Sequence, residues 1–385
     1  MDFELVKGFN DLTGEQAIKQ EKIRKIIVET FELAGFEPAE TPIIEFENFV
    51  KGNNPNDEAV SDIFKLKDKG DRNLALRYEF TFQLKRIANN KKLPYKRYQV
   101  GPVFRDEPIT GNRFRQFTQC DIDVVGSAIK DEAEILSITK TIFEKIGIKT
   151  NIYVNNRKLL NEILDEQGIL NKDSVIREID KLDKLPEAEL RENLRKLKAE
   201  NILKIFKEKE DYFKKFKSYK EIKELKELCK SYGVNIIFQP TLARGLSYYN
   251  GSVFEVKSDL KESICGGGSY LTNDIQSTGI SFGLERLRIL SKLEVGSCKA
   301  IIVSINQDEK AIKIANELRK NKISCFIISK GISKALDYAN SKKVPYVIFI
   351  GENEVKADKY TLKNMSSGKE QKSFLKDIIK LLQKI

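Results

Sequence analysis

Four arginines stand in strand-and-turn settings: Arg105 in FRDE, Arg113 in the turn that follows, Arg244 in LARGLSYY and Arg286 in FGLER. A guanidinium grips phosphate oxygens through parallel N–H donors, so arginines of this kind suit the clamping of a nucleotide. The sequence has no GxxxxGK[ST], and no GxGxxG follows a strand. That leaves arginines as the phosphate ligands if a nucleotide binds. The glycine run CGGGSY (265–270) fits a turn or a close approach of backbone to a ligand. Along FRQFTQCDIDVVG, Arg115, Phe117, Gln119, Asp121 and Asp123 share one face of a strand. Gln116, Thr118, Cys120, Ile122 and Val124 share the other, which is core-like. A cation, an amide and two carboxylates beside an aromatic ring read as the floor of a polar site; the alternative is a solvent-facing strand.

The chain contains no histidine. Ser-His-Asp and Cys-His catalysis and HExxH metal sites are therefore excluded. Proton transfer falls to carboxylates, Tyr, Lys, substrate groups or water, and charge stabilisation to Arg and Lys. The five cysteines form no CxxC pair, so a zinc site is not expected, and reduced, buried thiols are. With 385 residues, 41% hydrophobic and 32% charged, the chain has material for two or three domains with real cores. VPYVIFI (344–350) is among the longest apolar runs, far short of the ~18 residues of a membrane span. MDFELVKG lacks a basic stretch leading into an apolar one, so a cytoplasmic protein with no membrane association is expected. Residues 299–385 carry 18 Lys and Arg against 9 Asp and Glu, whereas the preceding 298 carry 50 against 48. A basic tail on a near-neutral body suits a polyanion such as nucleic acid, or is a solvated lysine-rich surface.

Several elements must position these residues. Apolar residues at helical spacing predict a helix over about 14–34, ended near Gly35. FEPAETPII predicts a short strand through Pro42, residues 53–62 a polar loop, and LALRYEF (74–80) a strand. Residues 95–126 read as a hairpin around DEPITGNR. Residues 158–232, rich in Lys, Glu and Leu, predict a helical insertion, either gripping RNA or serving as a solvated spacer. Strand material returns at VNIIFQP (234–240), LARGLSYYNGSVFEV (242–256) follows, and STGISFGLERLRILSKL (277–293) reads as a strand entering a helix. After a linker near 293–299, strands alternate with helices, which implies an α/β tail domain with parallel neighbours.

These segments resemble a known family. FRDEPITGNRFRQFTQCDIDVVG is similar to motif 2 of class II aminoacyl-tRNA synthetases, GISFGLERL to motif 3, and GFEPAETP to motif 1 with Pro42 as its proline. LARGLSYYNGSVFEV and CGGGSY resemble the two blocks special to histidyl-tRNA synthetases, and LRYEFT the family's substrate strand. KKVPYVIFIGENEVKADKYTLKNMSSGKEQ is similar to its anticodon-binding domain. The chain departs from the usual pattern at Ser247, Ser269 and Leu271, and in the loop PITGN.

The resemblance implies an α+β fold: a catalytic core on an antiparallel sheet over 1–157 and 233–293, a helical insertion over 158–232 and an α/β anticodon-binding domain over 299–385. It implies activation of L-histidine with ATP, accompanied by Mg2+, then transfer to tRNA(His), by a homodimer. Arg244 and Arg105 would be catalytic, holding the α-phosphate. Glu107, Phe117 and Arg286 would hold adenine and Arg113 the outer phosphates. The histidine site would comprise Glu79, Phe80, Thr81, Gln119, Asp123, Tyr248, Tyr249 and Tyr270, with Asp123 on a ring nitrogen and Glu79, Thr81 and Gln119 around the α-amino group. No resident metal site is implied. The alternatives are a histidine-binding regulatory subunit of ATP phosphoribosyltransferase, an RNA-binding or sensor protein on the same fold, and a synthetase for Pro, Thr or Gly. The retained arginines and basic tail speak against the regulatory subunit, and RGLSYY against the sister synthetases.

Overall fold

A computed structural model describes residues 3–51, 62–109, 114–182, 185–244, 248–258, 263–296, 298–329 and 331–384. The expected polar loop 53–62 falls almost wholly outside the described residues, as do Arg113 and Ser247. The chain divides into two compact units, Met1–Asp11 with Gln20–Leu293, and Leu12–Lys19 with Glu294–Ile385.

The first unit is built on an eight-stranded sheet. Its strands run in the order Glu37–Pro38, Tyr95–Phe104, Gln116–Val125, Ile275–Gly283, Ser263–Thr272, Tyr249–Ser258, Thr150–Asn156, Ile236–Phe238. The six inner strands are antiparallel to their neighbours, and the two short edge strands pair in parallel. Alternation decides what each face does. Cys120, Ile122 and Val124 join one large apolar core with Phe254, Ile280 and Phe282. The helices Gly14–Leu33 and Ile129–Lys145 cover that face, through Ile23, Ile27 and Phe31 and through Ala133, Leu136 and Phe143. Gln119, Asp121 and Asp123 consequently lie on the opposite face.

The segment 158–232 is helical, as expected. Its helices include Lys172–Ile179, Glu187–Lys196 and Tyr219–Ser231. It is no solvated spacer: Val175, Leu190, Leu194, Ile222 and Leu225 are buried in the same core as Ile122 and Phe254.

Two expected strands are shorter than predicted. FEPAETPII splits into Glu37–Pro38, in the large sheet, and Ile44–Phe46, in a separate three-stranded sheet with Lys65–Lys67 and Asn73–Leu76. Pro42, which has no N–H for a ladder, lies between the pieces. LALRYEF is extended only to Leu76, and a helix begins at Thr81. There the Glu79 carboxylate accepts a hydrogen bond from the Phe82 amide at 3.0 Å, a local bond that favours a helical turn over a ladder.

The second unit has a five-stranded sheet in the order Cys325–Ile328, Ala300–Ser304, Tyr346–Ile350, Tyr360–Asn364, Glu370–Ser373. The first three strands are parallel, joined by the helices Asp308–Lys320 and Ile332–Ser341, and the last two antiparallel. Cys298, Cys325 and the other three cysteines are buried and outside any disulfide.

Candidate active site

The register of the large sheet assembles the site. Arg97 lies opposite Asp123, Gln99 opposite Asp121, and Gly101 opposite Gln119. On the other side Gly279 lies opposite Asp123 and Ser281 opposite Asp121. Arg97 is fully buried, and its Nη2 meets Asp123 Oδ2 at 2.8 Å and donates to the Phe80 carbonyl at 3.3 Å. The Tyr270 hydroxyl donates to Asp123 Oδ1. Tyr270 belongs to the strand beyond Gly279, and a Cβ at Gly279 would fall 2.1 Å from Asp123 Oδ1. The missing side chain is what lets the tyrosine reach across.

Three carboxyls share this interior. Burial pushes Asp121 up to about 8, against the pull of Arg97, with Asp123 adding to the rise. Burial also raises Asp123, although Arg97 and the Tyr270 bond oppose it, and raises Glu79. Buried charge is expensive without full pairing; Arg97 acts on Asp121 and Asp123, and Arg105 on Glu79. A value near 8 biases Asp121 toward its neutral form at pH 7. Gln119 Nε2 donates to Ser281 Oγ at 2.6 Å, while its Oε1 is buried with no hydrogen-bond partner. Thr81 hydrogen-bonds to Glu79. The Tyr248 ring lies tilted against Tyr249 at 4.7 Å and edge-on to Tyr270 at 5.6 Å between centroids. Histidine-site candidates from four separate segments thus converge on Asp123.

The arginines lie around this pocket. Arg105 sits with its guanidinium 4.2 Å from the Tyr78 ring centroid and 5.0 Å from that of Phe117. It is 3.8 Å from Glu107, which also accepts from the Tyr78 hydroxyl at 3.5 Å. Arg244 follows the edge strand Ile236–Phe238; it lies 3.9 Å from Glu255, which pairs in register with Gly266. A Cβ at Gly266 would stand 2.0 Å from Arg244 Nη1. Arg286, in the helix Leu284–Leu290, donates through Nη1 to the Ser263 carbonyl.

The glycine run therefore has a spatial reason at each position. Gly266 clears Arg244, a Cβ at Gly267 would fall 2.0 Å from the Gly279 carbonyl oxygen, and one at Gly268 2.4 Å from that of Ser252. Parity along one strand could not reveal Arg97, Tyr78 or Glu255. The signal for Arg97 was hairpin register, which sets YKRYQV against CDIDVV. Among the described residues no group of three or more His, Cys, Asp or Glu could hold a metal ion.

A family model described as histidyl-tRNA synthetase matches residues 8–287, and one described as anticodon binding domain matches residues 299–385. Histidine–tRNA ligase 1 of Bacillus cereus is 33% identical, over 98% of this chain and 97% of its own. The crystal structure of histidyl-tRNA synthetase from Nostoc sp. PCC 7120 superposes with a TM-score of 0.87 at 24% identity, covering 100% of this chain and 99% of that one. A Bacillus halodurans C structure titled as an ATP phosphoribosyltransferase regulatory subunit/histidyl-tRNA synthetase gives 0.75 at 20% identity, covering 90% and 98%. These two likenesses show the fold, an α+β architecture shared with those structures. The family-model match and the near full-length sequence identity add the lineage: the chain belongs to the histidyl-tRNA synthetase family.

Proposed function

We propose that the protein is a histidine–tRNA ligase. It joins the carboxylate of L-histidine to the α-phosphorus of ATP, releasing pyrophosphate, and passes the histidyl group to the 3′ end of tRNA(His). Asp123 carries the reading: it is a buried acceptor held between Arg97 and Tyr270. A neutral imidazole offers one N–H donor and one acceptor. Asp123 takes the N–H, and Tyr248, Tyr249 and Tyr270 line the ring. Glu79, Thr81 and Gln119 hold the α-ammonium, for which Glu79 and the unpartnered Oε1 of Gln119 are buried acceptors. Such a pocket rejects analogues lacking the ring nitrogens by ~10⁴-fold, because its own groups would be left unpaired.

Arg105 and Arg244 stabilise the charge that grows on the α-phosphate as the carboxylate attacks. Glu107, Phe117 and Arg286 bind adenine, and Arg113 the outer phosphates. Mg2+ arrives as the counter-ion of ATP, ligated by phosphate oxygens and water. The catalytic core is 1–157 with 233–293, the insertion is 158–232, and 299–385 reads the anticodon. The enzyme works in the cytoplasm as a homodimer; exposed Ile43, Ile44 and Phe46, next to Pro42, supply an apolar surface for the partner. No helix among the described residues is long and apolar enough to cross a membrane.

The regulatory-subunit alternative is disfavoured by Arg105, Arg244 and Arg286, which a histidine sensor does not need, and by the anticodon-binding match over 299–385. The test is ATP–pyrophosphate exchange with each of the twenty amino acids in turn. Exchange with histidine alone is expected. Histidine binding without exchange would favour the regulatory reading.

A further inference from the structure

Behind the pocket, on the helix-covered face of the sheet, lies another buried acid, which the proposed chemistry does not use. Glu132 stands in the first turn of the helix Ile129–Lys145 and is 6% exposed. Its Oε1 accepts a hydrogen bond from the Ser269 hydroxyl, and the Ser252 hydroxyl also bonds to the carboxyl. Its Oε2 has no hydrogen-bond partner. The strands carrying these serines are irregularly matched just here. Gly268 pairs with Val253, but Tyr270 pairs with Tyr249, so two steps on one strand face four on the other. The surplus forms a bulge at 250–252. Gly251 closes onto Ser269, where a Cβ would come within 3.1 Å of the serine Cβ. The amides of Asn250 and Gln276 bond to each other, at 3.1 and 3.2 Å, beside the same bulge. Each serine is a short step from a pocket tyrosine: Ser269 precedes Tyr270 and points to the other face, and Ser252 closes the bulge that Tyr249 opens.

We infer that Glu132 is a positioning residue for the amino-acid site: it ties the two sides of the bulge together from behind and so sets how Tyr249 and Tyr270 are presented. Bulges beside active sites re-aim side chains, and supporting hydrogen bonds are what hold such geometry. The inference rests on the histidine-site reading above.

Glu132→Ala should raise KM for histidine by about tenfold in pyrophosphate exchange, with KM for ATP changed less than about twofold, as misplacement of a binding wall does. Glu132→Gln keeps an acceptor for Ser269 and should restore most of the loss. If Glu132→Ala does not fold, Ser269→Ala removes one hydroxyl and should raise KM for histidine in the same selective way. A merely structural role would lower the melting temperature and the active fraction without moving KM for histidine. An unchanged KM for histidine in the folded variant, or equal losses for histidine and ATP, overturns the proposal. The unmodified protein separates the two readings: if it shows no histidine-dependent exchange, the ligase function fails, and the effect of Glu132 is then read by histidine-binding calorimetry with the same expected tenfold loss.

Discussion

At the scale of single residues, the site is an acidic interior around one buried cation. Arg244→Ala should reduce adenylate formation by ~10²-fold, the usual loss when one preorganised contact to a developing charge is removed; single-turnover rapid quench measures it. Asp123→Ala should weaken histidine far more than ATP in equilibrium binding, because it deletes the acceptor for the ring and leaves Arg97 buried without its partner. Asp121 gives a pH signature. Its folded value is pushed by burial up to about 8 from an ordinary 3.8. The stability it contributes is therefore complete below about 4 and is lost as pH rises through 8. Asp121→Asn, which cannot ionise, should gain stability relative to the unmodified protein between pH 5 and pH 9 in thermal unfolding. A constant difference would argue against the assignment. The sequence yielded Asp123 and Gln119 through strand parity, because alternation is a local property. Arg97 depends on pairing between strands, which no single segment encodes.

Elements fix these residues by register and by omission of side chains. Residues 95–126 and the alternating tail were legible because hydrophobic period and turn residues agree there. LALRYEF misled because a Glu79 carboxylate bonded to the Phe82 amide turns the chain into a helix. The insertion's helices were legible but their burial was not, since its many lysines and glutamates mask narrow apolar stripes. CGGG was the least readable segment, as its meaning lies in neighbouring strands. Its three glycines should fail differently. Gly267→Ala drives a methyl into the Gly279 backbone and should destabilise the first unit by about 2 kcal/mol, read by denaturant unfolding. Gly266→Ala has the Arg244 guanidinium as its nearest obstacle, a side chain that can move. It should leave unfolding almost unchanged while lowering exchange by ~10-fold or more, through misplacement of the arginine.

At the scale of the whole molecule, the proposed function assigns different steps to the two compact units. A chain ending before residue 299 should retain histidine-dependent pyrophosphate exchange and lose most tRNA charging. Charging by the full chain should weaken steeply between low and physiological salt, as phosphate contacts by lysine and arginine are released. Loss of both activities together on truncation would show that the tail supports the first unit's fold. The pocket has one further property. The proposed histidine pocket is lined with tyrosines and carboxyls, in a protein whose own sequence supplies no imidazole. Every imidazole signal in a nuclear magnetic resonance spectrum of the complex belongs to the ligand. With ¹⁵N-labelled histidine, the two ring nitrogens report tautomer and charge without mutagenesis or background.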